Sequence, residues 1–160
     1  MKNSVPVEKF IVGEIRVLQE LDWQHIYIMC PLDIINNAVF LLNLEIKGML
    51  NEMLFFTENI TNFIIWNKWG EYSVFSIAIS ALIAFFELND TTMHIQRIMK
   101  FVIKYQGPQN QELVRDTIAC RKFIFENLGQ LSDDVELIQK ATNLNQLDFP
   151  IHYGLNLTKK

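Results

Sequence analysis

Little in this chain marks a catalytic or metal centre. Three histidines and two cysteines occur in 160 residues. His25, His94 and His152 have no cysteine, histidine or paired carboxylate at ligand spacing, which excludes the common zinc patterns. Cys30 and Cys120 lie 90 positions apart, and no local motif marks either as a nucleophile. Both read as reduced, buried thiols of an intracellular protein. The six glycines stand singly, so no glycine-rich loop is available to cradle a phosphate. Lysine and arginine form no run longer than Lys159–Lys160, and the net charge is −4, which argues against a nucleic-acid ligand. Asp133 and Asp134 are adjacent and would point in different directions on a helix, which favours a helix start over paired acid–base work. The expectation is a protein that is not an enzyme and needs no metal or cofactor.

Strand signals are equally scarce. No Asn-Gly or Asp-Gly turn occurs, and apolar alternation never persists. The first ten residues lack an apolar signal-peptide core, and GLNLTKK at the other end is too polar for a membrane anchor. A cytoplasmic protein is therefore expected, with the sequons at Asn59, Asn89 and Asn156 unused.

What is abundant is apolar surface at helical spacing. Half the residues are hydrophobic and twelve are phenylalanine. The length suits one domain over 1–160 with a real core. Phe10/Ile11, Ile15, Leu18 and Leu21 predict a helix at about 7–22. Pro31 at a helix start, with Asp33 in its first turn, predicts a second helix running to about Glu45. Met49, Met53, Phe56, Ile60, Phe63 and Ile64 predict a third, ending near Trp66.

The segment from about Trp69 to Leu88 is apolar nearly all round, which predicts a helix surrounded by others. Its charge-free core, Tyr72 to Phe86, is fifteen residues bounded by Glu71 and Glu87. A membrane span needs about 20, so a buried central helix is expected. Asn89-Asp90-Thr91-Thr92 reads as a stop followed by a cap. Ile95, Ile98, Met99, Val102 and Ile103 form the next stripe, opposed by Gln96, Arg97, Lys100 and Lys104. Gly107-Pro108 starts another helix, carrying Leu113, Val114, Thr117, Ile118 and Phe125 inward and closed by Gly129. Ser132-Asp133-Asp134 caps a last helix with Val135, Leu137 and Ile138, and an irregular tail follows from about 143.

Two segments are less generic. Asn67-Lys68-Trp69-Gly70-Glu71 directly precedes the apolar helix. Phe123-Ile124-Phe125-Glu126-Asn127-x-Gly129 is followed by Val135-Glu136-Leu137. Together they resemble the Bcl-2 family of apoptosis regulators, whose first motif is an Asn-Trp-Gly-Arg sequence opening a greasy central helix. Its second is an aromatic-Ile-x-x-Asn-Gly-Gly sequence at a helix end. The resemblance covers roughly 60–139. It departs where Glu71 replaces the family's Arg, Lys68 intervenes before Trp69, Phe123 replaces Trp and Leu128 replaces the first Gly. Such divergence looks more like a viral member than a cellular one.

The resemblance implies an all-α, Bcl-2-like bundle of about seven to eight helices around a central apolar one. It further implies an anti-apoptotic protein of host–virus interaction, acting in the host cytoplasm. Such a protein would sequester the amphipathic helices of pro-apoptotic Bcl-2 proteins in a hydrophobic groove. Met53, Phe56, Ile60 and Phe63 would wall the groove, and Trp69, Gly70, Val74 and Phe75 would floor it, with Lys68 and Glu71 at the charged position. The alternative is a helical interaction protein with no open groove, acting as a homodimer or on a host signalling or defence protein.

Overall fold

The run from Ser76 to Leu88 is buried on every face, and the other described helices are arranged around it. The computed structural model describes residues 30–155 apart from 45, 47, 69 and 106–110. Among the described residues there are seven α-helices and no strand. They are α1 (Pro31–Leu41), α2 (Leu50–Asn67), α3 (Val74–Leu88), α4 (Thr92–Tyr105), α5 (Gln111–Asn127), α6 (Val135–Asn145) and α7 (Phe149–His152), with a 3-10 turn at Leu128–Gln130 after α5. The helix expected at 7–22 lies outside the described residues, as do His25 and the sequon at Asn156.

Every residue of α3 from Ser76 to Leu88 is buried. The helix packs against α1, α2, α4, α5 and α6, so it is the central element that the apolar run predicts. It joins two clusters. One side meets Ile34, Ile35 and Met53 together with Ile95, Ile98 and Met99 of α4. The other meets Ile60, Ile64, Cys120, Ile124, Leu128 and Ala141. Small residues allow the close approach: Ser80 sits at a contact with α5 and donates its hydroxyl to the Thr117 carbonyl at 2.8 Å. Among the described residues no helix is long and apolar enough to cross a membrane.

The central helix starts later than the sequence predicts. Asn67 still belongs to α2, and the chain then turns through Gly70 at φ +79°, a conformation that excludes right-handed helix. Ser73 caps α3, its Oγ accepting from the Ser76 N–H at 3.0 Å. At the other end Asp90 adopts φ +57°. The Thr91 N–H donates to the Phe86 carbonyl and the Asp90 N–H to that of Glu87, which closes a Schellman turn.

The same device stops α1 at Leu41 rather than near Glu45. Asn43 takes φ +46°, and the Leu44 N–H donates to the Val39 carbonyl at 3.1 Å.

The stretch expected to be irregular from about 143 is mostly helical over its described residues, 143–155. Helix α6 continues to Asn145, and Asp148 caps a further turn, α7. Phe149, Tyr153 and Leu155 of this strap are buried in the core. Pro150 starts the turn instead of breaking it, because an early helical position needs no N–H donor.

The two cysteines part company: Cys120 is buried, but Cys30 is exposed, since it precedes α1 at its N-cap position. His94 is buried with its ring edge-on to Phe86 at 4.8 Å, a packing role, and His152 is exposed.

Candidate functional site

The segment between α2 and α3 is a six-residue connection, residues 68–73, shaped by one glycine and one local ion pair. With Gly70 in left-handed backbone the chain doubles back, and the Glu71 N–H donates to the Lys68 carbonyl at 3.1 Å. That turn brings the Lys68 ammonium to 2.9 Å from the Glu71 carboxylate. The hydrogen bond to Glu71 holds the lysine above its usual pKa against a smaller opposing effect of desolvation. Lys68 Nζ also lies 5.5 Å from the centre of the Phe123 ring. Phe63, from the last turns of α2, stacks on the same ring at 5.9 Å. Tyr72 packs, as Phe123 and Leu137 do, against the cluster that includes Ile60, Ile64 and Ile124, and burial raises its hydroxyl pKa. The two sequence segments singled out above, one before α3 and one near the end of α5, are thus in direct contact.

The expected groove residues separate into three groups. Met53 and Ile60 are 0% and 1% exposed and belong to the core, each on the α2 face turned to α3. Phe56, Phe63 and Phe75 are half-buried. Phe56 tilts against Phe85 at 5.8 Å, and Phe75 packs on the first cluster. Lys68 is half-buried, and Gly70, Glu71 and Val74 are exposed. Trp69 lies outside the described residues.

A second polar constellation sits at the opposite end of α3. Glu87 is 1% and Arg121 3% exposed. Arg121 approaches the carboxylate with both Nε, at 2.6 Å, and Nη2, at 2.8 Å. Nη2 also donates to the Leu144 carbonyl at 3.0 Å, and the Tyr153 hydroxyl donates to Glu87 Oε1 at 3.0 Å. The guanidinium lies between the rings of Phe125 and Phe149, 4.6 and 4.8 Å from their centres. Burial pushes the Glu87 carboxyl above the ordinary range, and the bonds from Arg121 and Tyr153 only partly offset it.

A single cluster therefore ties α3 to α5, to the end of α6 and to the C-terminal strap. The sequence held one signal of it. Arg121 lies on the helical line of Thr117, Ile124 and Leu128, a charge on an inward face.

Burial pushes the Cys120 thiol up to about 12, so it stays protonated and unreactive at neutral pH. Among the described residues no group of three or more His, Cys, Asp or Glu side chains could hold a metal ion. No family model, curated protein or solved structure matches this chain.

Proposed function

We propose that this protein is a Bcl-2-like binding module, one that captures an amphipathic helix of a pro-apoptotic partner rather than catalysing a reaction. One observation carries the reading. The two segments that resemble the family's first and second motifs, 54 positions apart in sequence from Trp69 to Phe123, meet where Lys68 lies over the Phe123 ring, on which Phe63 also stacks. An arrangement in which they lay on separate faces would have removed its basis.

The incoming helix would lay its apolar anchors on the accessible part of Phe56, Phe63, Val74 and Phe75. Lys68 would offer the cation that the family draws from arginine. Glu71 already neutralises it, so a ligand aspartate has to displace an internal partner. That narrows the range of ligands.

The test is calorimetric titration with a panel of helical peptides from pro-apoptotic Bcl-2 proteins. Binding at about 1 μM or tighter is expected for at least one peptide, weakened tenfold or more, about 1.4 kcal/mol, by Gly70→Glu. A Cβ at Gly70 meets nothing within 4 Å, but φ +79° strains any side chain there. A melt of the variant and a second surface variant, Val74→Glu, therefore separate a blocked surface from a shifted turn. Failure of every peptide to bind overturns the reading.

A second reading is favoured by the burial of Met53 and Ile60. These two expected walls lie inside the core and offer no surface to a ligand. A protein of this shape would act through an outer helix face, on a host signalling or defence protein or on itself.

A further inference from the structure

Helices α2 and α4 both pack on α3, and both leave an outer face in solvent. On α2 that face carries Phe55 and Trp66, 71% and 86% exposed. Glu52, Glu58 and Asn62 share it, and α2 contains no lysine or arginine. On α4 the outer line is Met93, Arg97, Lys100 and Lys104, all exposed, and α4 contains no aspartate or glutamate. Two bare aromatic side chains on an acidic face thus have, on the same molecule, a basic face of the same length.

The lengths agree in detail. Phe55 to Trp66 and Met93 to Lys104 each span eleven positions, about 16 Å of helix. Laid antiparallel with Trp66 against Met93, the steps coincide: Asn62 faces Arg97, Glu58 lies beside Lys100, and Phe55 meets Lys104 with Glu52 one turn away. The pairing puts carboxylates opposite ammonium groups and a lysine over an aromatic ring. It covers Trp66, the kind of side chain that anchors interfaces.

We infer that the outer face of α2 in one molecule docks antiparallel on the outer face of α4 in a second copy of this chain. Phe55 and Trp66 point away from the buried α2 face that carries Met53 and Ile60, and neither belongs to the proposed ligand surface of Phe56, Phe63, Val74 and Phe75. Because the two faces lie on different helices, a dimer closes only if both pairs form at once. Otherwise the contact propagates head to tail.

Charge reversal with sedimentation velocity tests this on the full chain. The unaltered protein should self-associate in the micromolar range and weaken as salt rises, because screening shortens the reach of the charges. Reversing the acids (Glu52→Lys with Glu58→Lys) should weaken association about tenfold or more. Reversing the bases (Lys100→Glu with Lys104→Glu) should do the same.

Mixing these two variants should restore association. So should all four changes in one chain, which keeps the original net charge of −4. Circular dichroism verifies that each variant is folded, as expected for exposed positions. The inference is overturned if the protein is monomeric throughout, if salt strengthens association, or if the fourfold variant stays monomeric.

Discussion

At the N-terminal end of α3, Lys68 meets Glu71 at the surface, three residues apart in sequence. At the C-terminal end, Glu87 meets Arg121 across 34 residues and almost wholly out of water. The first pair is made by a local turn within one connection. The second joins four segments, and its charges lost their hydration to form it. Burial of that kind seldom adds net stability relative to apolar side chains, but it makes the loss of either partner severe. One end of the central helix is therefore held by a local surface contact and the other by a buried, long-range one.

The largest effect should follow from separating the buried pair. Arg121→Met leaves Glu87 without its cation inside the core and should cost about 3–5 kcal/mol of unfolding free energy in urea. Combining it with Glu87→Leu removes the stranded charge as well and should recover most of the loss. If the double variant is as unstable as the single one, the cluster acts through packing and not through charge.

Next is the strap. Tyr153→Phe removes the hydroxyl that donates to Glu87 Oε1 and keeps the ring that packs on Phe149, so about 1.5–3 kcal/mol should be lost. The same cluster sets a pH dependence. The Glu87 carboxyl is raised above its unfolded value by burial. Its contribution is therefore fully present below the ordinary carboxylate pKa and lost as pH rises through the raised one. The margin of the native protein over Glu87→Gln should narrow across that window in parallel melts, and a margin that widens with pH refutes the assignment.

How legible these features were depends on the range of the interactions that create them. Val74 to Leu88 was readable as central because apolarity on every face needs no partner information. Its starting point was not. Whether Trp69-Gly70 opens a helix or turns before one depends on the sign of φ at Gly70, and a glycine permits both.

Glu71 and Glu87 looked alike as acids bounding an apolar run, yet one is exposed and the other buried. The difference lies in Arg121, which a local reading of α3 does not contain. The strap was missed for a similar reason. Pro150 and Gly154 signal irregular chain, and only the tertiary contacts of Phe149, Tyr153 and Leu155 give the segment its place.

Accessibility separates the two thiols as well. A disulfide reagent at neutral pH should modify exposed Cys30 at once and Cys120 only after unfolding, because burial holds that thiol protonated. Immediate reaction of both would mean that α5 opens readily against α3.

The smallest effect belongs to the surface pair, and it sharpens the contrast most. Lys68→Ala should leave the melting temperature almost unchanged, because the pair is local and solvent-facing. Its consequence should appear in binding instead. Removing the lysine frees Glu71 and leaves no cation beside Phe123, so a ligand helix bearing an aspartate at that position should bind more weakly. One bearing a lysine or arginine there should bind more tightly, since Glu71 is then available to it. A matched pair of peptides differing only at that residue reads the exchange directly. Equal affinities for the two, before and after the substitution, would separate Lys68 and Glu71 from recognition and leave the apolar surface of Phe63, Val74 and Phe75 to account for it.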